Sequence, residues 1–348
     1  MAEMITIGDD EAEQRIDRWL KRRYAGLAQG QVEKMCRKGE VRVDGGRVKA
    51  STRVGPGQVV RVPPYIEQAQ ARAESADTPE RAPEPKASTK LIEQLRDAVL
   101  YRDDHLIVLN KPPGLPVQGG SKLTQHIAGA LDGLKFGRED APRLIHRLDR
   151  DTSGLLVLAR TGAAATKLAA MFRTRAVEKI YFAAVAGRVH PTIGTIRYGL
   201  VKEGGKGNEK MVAVHPDHVK RTEGAKPATT DFQVIEQAAG RMAWVAMRPI
   251  TGRTHQLRVH MAELGCPIAG DGKYGSRSQE NLGDGWGGGI GGALSRKLHL
   301  HAARLRFEHP VTGREMRFSA PLPEHMARTW EMMGWREQDC PEELFENA

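Results

Sequence analysis

Residues 146–154, with the sequence HRLDRDTSG, restrict the fold and chemistry of this chain more than any other segment. They place Asp149 between Arg147 and Arg150, continue through a Thr-Ser-Gly turn and lead into the apolar segment LLVLA at 155–159. An element that only has to pack needs few of these polar groups. An acidic nucleophile beside a polyanionic substrate needs most of them, because guanidinium groups hold the polyanion next to the carboxylate.

Length and apolar content indicate a protein of two or three domains, since 348 residues can bury a substantial core. The sequence has no run of 18 or more apolar residues and no secretory pattern at its N-terminus, so we expect a soluble, cytoplasmic protein without a membrane partner. Cys36, Cys266 and Cys340 lie far apart and lack metal-binding spacing. We interpret them as reduced structural thiols.

The basic character of the chain is strongest near its N-terminus. The net charge is +10, and residues 18–63 contain twelve Lys and Arg against three Asp and Glu. Such a concentration of positive charge fits a polyanionic partner such as a nucleic acid.

Residues 1–63 are predicted to form a compact domain. Apolar spacing indicates two short helices, the second ending at Gly39, and then two strands. The segments RIDRWL at 15–20 and RKGEVRVDG at 37–45 resemble an S4 RNA-binding domain. Two helices joined by a turn would bring five cations near one surface, where they would contact phosphates: Arg18, Arg22, Lys34, Arg37 and Lys38. An ordinary solvated helical face is the alternative.

The rest of the chain is predicted to comprise a flexible linker at 64–90, a second domain at 91–325 and a C-terminal helix or tail at 326–348. Strands and helices mix in the second domain without a βαβ rhythm, so we expect an α+β fold with a mostly antiparallel sheet. Residues 283–292 contain a GxGxxG pattern, but no predicted strand precedes it. We interpret this segment as a flexible insertion and not as a dinucleotide site.

A second motif, TGRTHQLRVHM at 251–261, supplies a cation for the site. Its apolar residues are spaced i, i+4, i+7, which predicts a helix with one apolar face that ends at Gly265. Arg258 neighbours that face. A cation in this position would keep a nearby carboxylate ionised, because an opposite charge favours the charged form.

Tyr181 lies in the strand-like segment EKIYF at 178–182. Alternation along a strand places Ile180 and Phe182 on one face and Tyr181 on the other. An ordinary core tyrosine is one interpretation of this position, and a functional ring is the other.

The histidines of the two motifs do not have the spacing of a metal site. His255 and His260 are five positions apart and lack a matching acidic ligand, and His299 and His301 share one strand face but lack companions. We predict structural or RNA-contacting histidines, and no metal.

The first motif resembles the active site of RluA-type pseudouridine synthases at every position of 146–154 except 150 and 151. The second motif and the segment CPIAGDGKYG at 266–275 resemble the same family, and the resemblance covers most of residues 13–325. It implies the α+β pseudouridine synthase fold, isomerisation of uridine without a cofactor, and large-subunit ribosomal RNA as the substrate.

The resemblance also implies roles for individual side chains. Asp149 would be the nucleophile and Arg258 its partner. Tyr181 would pack against the target uracil with acid or base help from its hydroxyl, and Arg147 would occupy the place of the extruded base or anchor a phosphate. Asp151 is the rival nucleophile, although a turn explains it.

Three alternatives remain open from the sequence. The substrate would be transfer RNA instead of ribosomal RNA, or the protein would be a non-catalytic S4-containing factor of ribosome assembly. A glycosidase would also use Asp149, but it would need a second carboxylate at a matched distance. We expect a monomer in each case.

Overall fold

The computed structural model describes residues 2–8, 11, 14–24, 27–66, 87–119, 125–205, 210–238, 240–275 and 294–345. Contacts divide the chain into two compact units, Met1–Glu84 and Pro85–Ala348. Most of the predicted linker and the whole glycine-rich segment 283–292 lie outside the described residues.

The first unit contains the two predicted helices, α1 (Ile16–Arg23) and α2 (Gln29–Lys38). Gly39 ends α2 with a left-handed φ of 72°, as the sequence predicts. The strands are short: β1 (Glu3–Thr6), β2 (Gln14–Arg15), β3 (Arg42–Val43), β4 (Gly46–Arg47), β5 (Arg53–Val54) and β6 (Val59–Val62). The helices bury apolar residues, including Trp19 and Val32, against these strands, so their basic residues face solvent.

In the second unit the described helices are α3 (Thr89–Asp97), α4 (Ile127–Ala130), α5 (Gly162–Thr174), α6 (Gln256–Glu263) and α7 (Glu324–Met333). The described strands are β7 (Val99–Arg102), β8 (Leu106–Lys111), β9 (Arg143–Leu144), β10 (Ser153–Ala159), β11 (Glu178–Ala186), β12 (Ile193–Glu203), β13 (Lys210–Val214), β14 (Lys226–Ala238), β15 (Met242–Pro249), β16 (Leu300–Glu308) and β17 (Glu315–Ser319).

These eleven strands form one sheet in the described residues, and the predicted mostly antiparallel α+β fold is confirmed. The strand order is β13-β12-β14-β15-β11-β16-β10-β8-β7, with β17 paired to β16 and β9 paired to β10. The pairing of β10 with β16 is parallel and comprises two residue pairs, Ser153↔His301 and Gly154↔Ala302. Because β10 begins at this short junction, the preceding loop is positioned near the middle of the sheet.

The C-terminal helix α7 packs on the sheet through tryptophan rings. The ring centroid of Trp330 lies 5.5 Å from that of Trp244 on β15 and 5.2 Å from that of Trp335. This apolar contact explains why the helix belongs to the same contact unit as the sheet. None of the helices in the described residues is both long enough and apolar enough to span a membrane.

Candidate active site

Asp149 lies in the loop that joins β9 to β10. The preceding residue, Leu148, is buried in the core, while the Asp149 side chain is 22% exposed. Within the described residues its carboxylate accepts no hydrogen bond, and its closest ionic neighbour is the Nε2 atom of His255 at 3.9 Å from Oδ2. The carboxylate is therefore held in place by its backbone and remains available to a substrate.

Lys111 anchors this loop from the end of β8. Its buried Nζ donates to the carbonyl oxygens of Pro112 at 2.8 Å, Leu115 at 2.8 Å and Arg150 at 2.9 Å. Burial lowers the pKa of Lys111 to about 7, and the negative charges of Asp151 and Asp149 oppose that shift. Lys111 was not among the residues predicted from the sequence to form the site. Its position directly before two prolines in a loop was the available signal.

His146 fixes the other side of the loop as a neutral imidazole. Its Nε2 atom accepts a hydrogen bond of 2.9 Å from the Val157 amide of β10, and its ring stacks on Phe172 with centroids 4.2 Å apart. Burial lowers the pKa of His146 to about 3, and the positive charge of Lys179 adds to this effect. These contacts agree with the structural role predicted for this histidine.

Gly154 is required where β10 approaches β16. Its φ is +107°, and a Cβ atom built on it would lie 2.3 Å from the carbonyl oxygen of Ala302. Only glycine permits this approach without displacing a strand. Next to it, the Ser153 hydroxyl bonds the Nδ1 atom of His301 at 2.9 Å. The Thr-Ser-Gly sequence therefore serves the strand junction more than a turn.

Asp151, the rival nucleophile, has a different environment. Its Oδ1 atom accepts a hydrogen bond of 3.1 Å from Arg150 Nε, and its side chain is 40% exposed. The predicted turn cap is replaced by this side-chain pair. Asp151 lines only the outer of the two pockets described below, whereas Asp149 lines both.

Arg258 lies on the predicted helix α6, and its ion pair differs from the expected one. Its Nε and Nη2 atoms donate to the two carboxylate oxygens of Asp271 at 2.7 and 2.8 Å, and both side chains are buried. No ion pair within 4 Å joins Arg258 to Asp149 among the described residues. Asp271 is the ion-pair partner of Arg258 because its turn brings both carboxylate oxygens to the guanidinium, and Asp149 does not make such a bidentate contact.

The charge of Arg258 nevertheless interacts with Asp149. Burial lowers the pKa of Arg258, but the carboxylates of Asp271 and Asp149 outweigh this, so the pKa lies above its usual range. A guanidinium of this kind is permanently charged. Asp271, in the segment CPIAGDGKYG at 266–275, keeps this cation in place.

Tyr181 faces the same pocket as Asp149. Ile180 and Phe182 pack in a cluster on the opposite face of β11, which confirms the predicted alternation. Burial raises the pKa of Tyr181 well above its usual value, and the charge of Asp149 adds to the increase. The hydroxyl therefore stays protonated at neutral pH.

Two adjoining pockets share Asp149. The inner pocket is about 290 Å³, near the lower end of small-molecule sites, and the rings and apolar side chains of Phe172, Tyr181, Leu257 and Leu300 form part of its wall. Asp149 is the only carboxylate among its described lining residues. The outer pocket, about 770 Å³, is strongly basic and is lined by Arg147, Arg150, Arg258, Lys273, Arg296 and Lys297.

Arg147 lines both pockets and is exposed. Its side chain has no hydrogen-bond or ion-pair partner in the part of the chain that the structure describes. This cation, at the junction of the two pockets, is available to an incoming substrate. No group of three His, Cys, Asp or Glu side chains in the described residues is arranged to hold a metal ion. The prediction of a metal-free site stays a prediction.

The basic residues predicted to bind RNA in the first unit are all exposed. Arg18 and Arg22 are one helical turn apart on α1, and Lys34, Arg37 and Lys38 follow the same spacing on α2. Each helix therefore presents its cations on one face. Lys38 also forms an ion pair with Glu40, with Nζ 3.9 Å from Oε1.

The fold and the site define a pseudouridine synthase with an S4 domain. Residues 105–263 match the family described as RNA pseudouridylate synthase, and residues 14–60 match the S4 domain. The chain belongs to the RNA pseudouridylate synthase family, and the RluA-type resemblance inferred from its motifs is confirmed.

Individual relatives agree over nearly the whole chain. The ribosomal large subunit pseudouridine synthase C of Vibrio vulnificus is 39% identical over 94% of this chain and 95% of its own length. The protein of the same name from Escherichia coli is 37% identical over 93% of this chain and 94% of its own. The solved structure of human RNA pseudouridylate synthase domain containing 4 is 31% identical, covers 70% of this chain and 96% of its own, and has a TM-score of 0.58.

Proposed function

We propose that this protein isomerises uridines of large-subunit ribosomal RNA to pseudouridine and that Asp149 is the nucleophile. The observation that carries the proposal is the inner pocket, where one carboxylate lies with an aromatic ring and several Lys and Arg side chains. The reaction breaks the bond between C1′ and N1 and forms one between C1′ and C5. One proton leaves C5 and one arrives at N1, so no electrons are gained or lost.

The neighbouring side chains suit this chemistry. Arg258 provides a positive charge close to Asp149, and the protonated ring of Tyr181 offers a flat wall against which a uracil can pack. Arg147 is placed to enter the stack that the extruded base leaves. The outer pocket then receives the flanking phosphates, because six of its lining residues are Lys or Arg and only two are Asp.

The substrate is proposed from the relatives and from the S4 domain. The bacterial relatives are named for the large ribosomal subunit, and the exposed cations of α1 and α2 supply contacts to an RNA backbone. A monomer in the cytoplasm, where ribosomal RNA is accessible, completes this proposal.

A glycosidase is disfavoured by the number of free carboxylates. Hydrolysis of a glycosidic bond needs two carboxyl groups, about 5–9.5 Å apart, flanking the bond. Among the described residues, Asp149 is the only carboxylate that lines the inner pocket, and Asp271 forms an ion pair with Arg258. The pocket therefore lacks the second free acid.

The test is position-resolved mapping of pseudouridine in ribosomal and transfer RNA from cells that lack this protein. The cells are complemented with the wild type, Asp149→Asn or the matched control Asp151→Asn. We expect sites in large-subunit ribosomal RNA to disappear and to return with the wild type and Asp151→Asn, but not with Asp149→Asn. The purified Asp149→Asn variant should still bind the RNA.

The other outcomes identify the alternatives. Lost sites in transfer RNA alone would change the substrate, and activity in Asp149→Asn would disprove the nucleophile. No lost site in either RNA class, together with a defect in ribosome assembly, would support a non-catalytic factor.

A further inference from the structure

Asp149, His255 and Tyr274 form a chain of polar groups beside the pockets. The His255 Nε2 atom lies 3.9 Å from Asp149 Oδ2, and its Nδ1 atom lies 2.7 Å from the Tyr274 hydroxyl. His255 lines both pockets. Tyr274 is in direct contact with the Arg258 guanidinium, which lies 5.1 Å from the centre of its ring.

The hydrogen bonds of Tyr274 determine which nitrogen of His255 carries the proton. The Tyr274 oxygen accepts a hydrogen bond of 3.1 Å from the Met211 amide. The assignment that gives the Tyr274 proton an acceptor among the described residues directs it to His255 Nδ1. A neutral imidazole whose Nδ1 accepts must carry its proton on Nε2. The N–H group of His255 therefore faces the Asp149 carboxylate.

The surroundings of His255 favour this neutral form. Burial lowers the pKa of His255. The negative charges of Asp149 and Asp271 oppose the decrease, and the positive charges of Arg258 and Lys273 add to it. A neutral N–H donor orients a carboxylate without adding a second full positive charge to that of Arg258.

The backbone holds His255 in this place at a conformational cost. His255 has a φ of +55°, in the left-handed region that residues other than glycine rarely adopt. Strained residues of this kind cluster at functional sites, where the surrounding structure maintains them. The present distance of 3.9 Å is longer than a hydrogen bond, and such contacts commonly shorten when substrate binds.

We infer that His255 is a positioning residue for Asp149, held by Tyr274 with its Nε2–H directed at the nucleophile. The inference rests on the proposed function. In this role His255 donates a hydrogen bond that orients the attacking oxygen of Asp149 once RNA fills the inner pocket. Tyr274 sets the tautomer of His255. Neither residue is proposed to contact the uracil.

The inference is tested by single-turnover kinetics on a large-subunit ribosomal RNA fragment that contains a mapped site. His255→Ala removes the donor, and His255→Gln restores an amide N–H near the place of Nε2. Tyr274→Phe removes the hydroxyl but keeps the ring over Arg258. His215→Gln, a change of an imidazole that is 58% exposed outside both pockets, is the control.

We expect His255→Ala to lower the rate at saturating RNA by about 10- to 100-fold, the loss of one charge-assisted hydrogen bond, with the RNA Kd changed less than about twofold. His255→Gln should recover at least half of this loss on a logarithmic scale. Tyr274→Phe should lower the wild-type rate by about tenfold but have little effect in the His255→Gln background, because glutamine needs no tautomer.

Three results would overturn the inference while the wild type still isomerises the RNA. They are a His255→Gln rate equal to that of His255→Ala, additive losses in the double variant, or a change in Kd alone. If the wild type itself leaves the uridine unchanged, the proposed function fails instead. Melting temperatures of all variants identify any loss of rate that comes from unfolding.

Discussion

Replacing Gly154 with alanine is predicted to destabilise the second unit by about 3–5 kcal/mol and to abolish activity at growth temperature. A Cβ atom at this position would lie 2.3 Å from the Ala302 oxygen and 2.7 Å from the Ala302 nitrogen. Both atoms belong to the backbone of the neighbouring strand, so the contact cannot be relieved by rotating a side chain. The strands have to separate by about 1 Å to reach ordinary contact distances near 3.5 Å.

The magnitude follows from two separate costs. The positive φ of Gly154 costs an alanine about 1–2 kcal/mol. Separation of the strands is the second cost: it weakens the hydrogen bonds of a parallel junction of two residue pairs and makes the core repack, which together cost about 2–3 kcal/mol. Because the Asp149 loop runs directly into this junction, the same movement displaces Asp149, the proposed nucleophile.

Gly137→Ala separates the two costs. Gly137 has a φ of +83°, but a Cβ atom there would meet nothing within 4 Å. This variant should lose only the conformational part, about 1–2 kcal/mol. In thermal unfolding, Gly154→Ala should melt about 5–15 °C below Gly137→Ala, since 1 kcal/mol corresponds to about 2–4 °C in a domain of this size. Equal melting temperatures would refute the argument from close approach.

Three further predictions concern charged side chains, two at the site and one on α1 of the first unit. Arg258→Lys loses the bidentate bond to Asp271, so the single-turnover rate should fall by about 10- to 100-fold with an unchanged RNA Kd. Lys111→Met leaves three carbonyl oxygens without their donor, and we expect a melting temperature lower by about 5 °C or more and a much lower rate. The double variant Arg18→Gln/Arg22→Gln should reduce the slope of log Kd against log salt by about 1.4, at about 0.7 for each phosphate contact to single-stranded RNA, without affecting the rate at saturating RNA.

Each of these predictions has a contrary result. A change in Kd alone for Arg258→Lys would make this arginine a phosphate contact. Normal activity and stability in Lys111→Met would show that the carbonyl groups find water in place of the ammonium. An unchanged salt slope would show that the α1 cations do not reach the RNA backbone.

The sequence by itself determined the features that depend on neighbours along the chain. The end of α2 at Gly39, the helical spacing around Arg258 and the alternation around Tyr181 are all set by local backbone geometry, and the structure agrees with them. The motif around Asp149 belongs to the same group, because its residue types occupy consecutive positions.

Tertiary structure alone decided which side chains meet. Arg258 pairs with Asp271 instead of Asp149. Lys111 binds the carbonyl oxygen of a residue 39 positions away, and His255 lies beside a carboxylate that precedes it by more than 100 positions. These contacts depend on strand order and on the register of a sheet whose partners are far apart in sequence. Local spacing carries no information about that register, since long-range packing selects it.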